Sequence, residues 1–216
     1  MAASETTETG LTWPRIALAL KIIAGLACAA PLVWLYQAWH ADALGFNPAE
    51  AVVHTLGRIG LGLLLATLIL GTLAHVFRAP KLLVLHPLLG IGAFVYLTLH
   101  AAAWAGLDMV WDWEFIAMEM ADLQYLQVGL VSLVLLIPLS LTSGRGLSHH
   151  WGSTLWHWLH RLGYVAVAAG LLHLWIITRA DYALPVIYMA GFALIVALRL
   201  LPPLWQMVRR RAPSGS

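Results

Sequence analysis

Four histidines pose the chemical question in this sequence. His86 and His100 lie fourteen residues apart in one apolar run, and His160 and His173 lie thirteen apart in another, "WHWLHRLGYVAVAAGLLHLW". At 1.5 Å per helical residue each separation is about 20 Å, so each run places one imidazole near either edge of a bilayer core. Ionisable side chains inside a membrane span are costly and mark function by default. Two parallel helices offering imidazoles at two matched depths supply what stacked bis-histidine haems need, one axial nitrogen on each side of each macrocycle. Fourteen residues return to within about 40° of the same helix face, so His86 and His100 can face one neighbour. Thirteen leave about 140°, so His160 and His173 require a local distortion or must approach a flat ligand from different angles. Glycines beside them, in "LLGIGAF" and "LGYVAVAAG", would let a porphyrin approach the backbone. For His86 and His160 the competing reading is interfacial solvation.

The elements that must position these groups follow from composition. Of 216 residues, 61% are hydrophobic and only 10% charged, against about 25% charged in soluble domains. Several apolar runs exceed the roughly 20 residues that span a bilayer, which selects helices over a barrel. Six spans are expected, at 15–39, 51–77, 82–106, 123–141, 154–177 and 183–205. The expected fold is therefore an all-α, six-helix transmembrane bundle over 14–208. A disordered tail (1–13) precedes it and a basic tail (209–216) follows it. "LACAAP" resembles a signal-peptide cleavage site, but the acidic residues before it and the apolar run beyond Pro31 disfavour that reading. Cys28 is the only cysteine, which excludes a disulfide framework or a Cys-rich metal site.

Charge sets the orientation. The first loop carries Asp42 and Glu50, and the third, "LDMVWDWEFIAMEMAD", carries five acids; neither holds Lys or Arg. The second loop carries Arg78 and Lys81, the fourth Arg145, and Arg209–Arg211 follow the last span. The positive-inside rule then puts both termini in the cytoplasm, with Arg179 the one exception beside Asp181. Arg58, one turn deeper than His54, cannot lose its proton and would meet a haem propionate or snorkel outward. His54 is a quinone, proton or substitute-ligand candidate beside a structural role. Arg161 and Arg145 would meet inner propionates or a flavin phosphate, or simply obey topology. His149, His150 and His157 read as solvated histidines at the cytoplasmic edge, and His40 and His75 as interfacial. Trp104, Trp111 and Trp113 suit an aromatic belt.

"HTLGR" in the second span, "LLGIGAFVYLTLH" in the third and "WHWLHRLGYVAVAAGLLHLW" in the fifth together resemble the MsrQ (YedZ) family, within the ferric-reductase-like transmembrane domains. The resemblance covers about residues 14 to 208. It implies a subunit of the bacterial inner membrane that takes electrons from the quinone pool, or from a flavin, and passes them through haem b. The recipient would be a periplasmic molybdopterin methionine-sulfoxide reductase (MsrP-like) that repairs oxidised proteins, so the catalytic site belongs to that partner. The resemblance carries haem-linked roles onto His100, His160 and His173 and adds FMN as a cofactor. Some members have Arg where this chain has His86, so one haem or two is left open. The runner-up is a stand-alone ferric or cupric reductase. A transporter or scaffold using histidine proton relays is a third class, without support from inverted repeats or broken helices. The acidic segment 108–122 is a candidate docking surface.

Overall fold

The computed structural model describes residues 12–143 and 153–211. Among these it contains helices α1 (Trp13–His40), α2 (Pro48–Val76), α3 (His86–Ala103), α4 (Trp113–Asp122), α5 (Gln124–Thr142), α6 (Ser153–Ile177) and α7 (Ala183–Arg211). A 3-10 turn, Pro80–Val84, leads into α3, and a π-turn, Trp104–Asp108, leaves it. Five of the helices are long and apolar enough to cross a membrane, and α7 contributes a shorter apolar stretch, Ala183–Arg199. The chain is a multi-pass membrane protein built as a helical bundle. Residues 1–11 and 212–216, most of the two expected tails, lie outside the described residues, as do Arg145, His149, His150 and the side chain of His157.

Local chemistry explains the boundaries. At the start of α2 the Asn47 side chain accepts from the Glu50 N–H, and a proline occupies the first turn, where its missing N–H costs nothing. The acidic third loop is not extended: Asp112 accepts from the N–H groups of Glu114 and Phe115, both at 3.1 Å, and so starts α4. Tyr96 of α3 donates its hydroxyl hydrogen to the Cys28 carbonyl at 2.6 Å, three residues before Pro31, which lies within the continuous helix α1. That bond ties α1 to the bundle.

The bundle is organised as two helical hairpins. The most extensive contacts are α2 against α3 and α5 against α6, with α2 also touching α6 and α7. Lipid tails are as apolar as Leu, so such helices associate through close packing at small residues. The two hairpins repeat each other. Ala93 in the middle of α3 and Ala166 in the middle of α6 are both fully buried. A Cβ on Gly90 of α3 would meet Thr67 of α2 at 3.9 Å, and one on Gly163 of α6 would meet Leu139 of α5 at 3.3 Å. At a further pair the sizes are exchanged: Gly60 of α2 faces Leu97 of α3, whereas Ser132 of α5 faces Gly170 of α6. All these positions correspond under a shift of 72 residues for the first helix of each hairpin and 73 for the second.

Charge divides the ends of the bundle. Asp42, Glu50, Asp108, Asp112, Glu114, Glu119, Asp122 and Asp181 all belong to the end where α1 meets α2, α3 meets α5, and α6 meets α7. Arg78 and Lys81 lie at the opposite end. These are called the acidic and basic ends below.

Gly60 tests the hairpin packing. Its added methyl would lie 2.7 Å from Leu97 Cγ and 3.2 Å from the Leu97 backbone nitrogen. Gly60→Ala should destabilise the protein by about 1–3 kcal/mol, the usual range for overpacking. Leu97→Ala added to it should recover part of that loss, read as unfolding midpoints of detergent-solubilised protein.

Candidate functional site

His100 occupies the last turn of α3 and His173 a position one turn before the end of α6. Their ring centroids are 6.1 Å apart, with the planes at 81°. His100 Nδ1 lies 2.8 Å from the Val53 carbonyl of α2, and His173 Nδ1 lies 2.7 Å from the Tyr125 carbonyl of α5. A carbonyl can only accept, so each Nδ1 carries the proton and each Nε2 keeps its lone pair. The Tyr125 ring adds a tilted contact to His173 at 5.9 Å.

Each ring is seated by a glycine on the neighbouring helix. A Cβ on Gly57 would stand 2.9 Å from His100 Nδ1, and a Cβ on Gly129 would stand 2.8 Å from His173 Nδ1. Each of these glycines lies four residues beyond the carbonyl that its histidine bonds, so carbonyl and notch share one helix face. The glycines beside the histidines in sequence serve another purpose. Gly163 and Gly170 make room for Leu139, Leu61 and Ser132, so they close helix contacts instead of opening a gap for a ring system.

The donor set fits haem. A metal held by one nitrogen of each ring at about 2 Å separates the two centroids by about 6 Å, as found between His100 and His173. Among the described residues no three His, Cys, Asp or Glu side chains converge as a metal site. Two imidazoles with free Nε2 atoms instead suit an iron that brings its own four equatorial nitrogens.

The other expected residues fall into place around this pair or far from it. His54 is half-buried and lies within electrostatic reach of His100, His173 and Asp108, at the acidic end. Arg58 is exposed on α2. Near the basic end, His86 lies within electrostatic reach of His160 and Arg199. Arg161 is exposed and lies over the Trp158 ring at 4.5 Å, a cation–π contact. His40 packs edge-on against Tyr36, and Trp111 is half-exposed beside Trp113. The helix distortion called for by the thirteen-residue spacing does not occur, because α6 is continuous from Ser153 to Ile177.

Arg199 of α7 is the site residue that sequence reasoning passed over. Its Nε donates to Thr72 Oγ1 of α2 at 3.3 Å. A lone arginine six residues before the end of the expected sixth span was signal enough to single it out.

Residues 56–171 match the family described as the ferric reductase like transmembrane component. The chain is also similar to several curated proteins, each called protein-methionine-sulfoxide reductase heme-binding subunit MsrQ. The one from Caulobacter vibrioides is 35% identical over 212 residues, covering 98% of this chain and 93% of the relative. That from Rhodospirillum rubrum is 36% identical over 194 residues, covering 90% and 93%. That from Yersinia pseudotuberculosis is 33% identical over 204 residues, covering 93% and 97%.

The glycine notches give a direct test of the site. Gly57→Ala and Gly129→Ala should each push one imidazole off its carbonyl and weaken haem binding at least tenfold in a spectroscopic titration of purified protein. Alanine at Gly25, where an added Cβ meets nothing within 4 Å, should leave the titration unchanged.

Proposed function

The chain belongs to the MsrQ family of haem-binding subunits, and from that premise we propose that it is an electron-transfer subunit of the bacterial inner membrane, with both termini cytoplasmic. It takes electrons from the quinone pool or a flavin and delivers them to a periplasmic molybdopterin methionine-sulfoxide reductase, which carries the catalytic site. The observation that supports this reading best is the apposed pair His100 and His173, with both Nδ1 atoms committed to backbone carbonyls.

When bound between these rings, haem b supplies one-electron redox chemistry within the apolar bundle. His100 and His173 hold it through Nε2. The Val53 and Tyr125 carbonyls fix the tautomer and ring orientation and strengthen each imidazole as a donor. His86 and His160 hold a second haem nearer the basic end. Arg58 and Arg161 are the proposed partners of propionate or flavin phosphate groups, and FMN enters from the family resemblance alone. The docking surface for the reductase is the acidic segment 108–122, where α4 presents Glu114 and Glu119 among the exposed Trp113, Phe115 and Met118.

The purified protein should show a reduced-minus-oxidised b-haem spectrum. His100→Ala and His173→Ala should each remove one haem per chain, measured by pyridine haemochrome. Full haem retained in both variants would overturn the assignment. Reduced protein should be reoxidised by the methionine-sulfoxide reductase and oxidised substrate, and not by ferric chelates; the opposite pattern would favour a stand-alone metal reductase.

A further inference from the structure

Arg199 lies in the apolar stretch of α7 and is only partly exposed. Its guanidinium stays protonated at any accessible pH and requires a negative partner when withdrawn from water. Every Asp and Glu among the described residues belongs to the acidic end, about 20 Å away along the helices, so none of these can serve. The one described bond, to Thr72 Oγ1, uses one of its five N–H donors and neutralises nothing.

The surroundings are shaped to receive something. Thr72 is buried, so Arg199 is anchored from inside the bundle. At the neighbouring Gly71, a Cβ would stand 3.3 Å from Arg199 Nη2 and 3.9 Å from His86 Nε2. A guanidinium nitrogen and an imidazole nitrogen therefore converge over the bare backbone of α2, where α3 and α7 flank it. We infer that Arg199, anchored by Thr72 over Gly71, forms an oxyanion-binding site at the basic end of the bundle, beside the His86 imidazole assigned above to haem. It takes the carboxylate or phosphate of a membrane-inserted ligand. Haem propionate, flavin phosphate and lipid phosphate share this chemistry. The inference does not depend on haem between His100 and His173.

Binding of three matched pairs to full-length protein tests it: haem b against haem dimethyl ester, FMN against riboflavin, and nanodiscs of phosphatidylglycerol against phosphatidylcholine. The first two are read as affinities and the third as thermal midpoint. Arg199→Gln should weaken the charged member of at least one pair tenfold or more, or abolish the gain in midpoint from the anionic lipid, while leaving the uncharged member unchanged. The pair that responds identifies the source. Arg199→Lys should retain most of the effect, and Thr72→Val, which removes only the anchor, should lose part of it. Equal behaviour of charged and uncharged members in every pair, whether unchanged or equally weakened, would overturn the proposal. One haem per chain remaining in Arg199→Gln would leave the His100 and His173 assignment standing in either case.

Discussion

A helix carbonyl already accepts one hydrogen bond, and the geometry of this bundle depends on two carbonyls accepting a second. Inside a membrane an imidazole that offers one nitrogen to a metal must satisfy the other within the protein, because no water is there to do so. The Val53 and Tyr125 carbonyls each have a second lone pair available, but it points sideways from the helix toward the side chain four residues on. Any Cβ at that position would occupy the place of the incoming ring. Gly57 and Gly129 remove it, and the imidazoles of His100 and His173 then reach bonding distance. One bond on each side thus fixes tautomer, ring orientation and the spacing of two helix pairs together.

That constraint explains what the sequence revealed and what it concealed. A histidine within an apolar run is conspicuous because it is expensive, so the four histidines and their matched depths could be read directly. The spans were legible for the same reason, from length and composition. The notches were not, because a glycine's partner is set by packing across helices. Attention falls naturally on glycines next to a histidine in sequence, such as Gly163 and Gly170, whereas those that seat the rings lie on α2 and α5. Arg199 was hidden by its company, a basic segment that topology alone accounts for. The acidic third loop hid α4 because its charge masked the Asp112 cap.

The correspondence between the hairpins shows which features the geometry demands. The glycine notch, its carbonyl and the histidine recur in both, as do the buried alanines. Where only contact volume matters, the two hairpins differ: the space left by Gly60 is filled by Leu97, and that left by Gly170 by Leu61 and Ser132. Close packing tolerates an exchange of large and small across a contact as long as the sum is kept. It offers no such exchange at the notch, since a side chain in place of the glycine leaves the imidazole N–H without its bond.

The two ends of the bundle meet the same cost in different ways. At the acidic end the Nδ1 atoms of the histidine pair are satisfied by backbone carbonyls, and the position of each ring is set before any ligand arrives. At the basic end His86 makes no hydrogen bond among the described residues, and the permanent charge beside it, Arg199, finds a hydroxyl but no acid. A neutral acceptor can orient a guanidinium but cannot balance it. The histidine pair is therefore positioned by the chain's own carbonyls, whereas at the basic end no described acid stands beside Arg199 and the proposed oxyanion supplies the balancing charge.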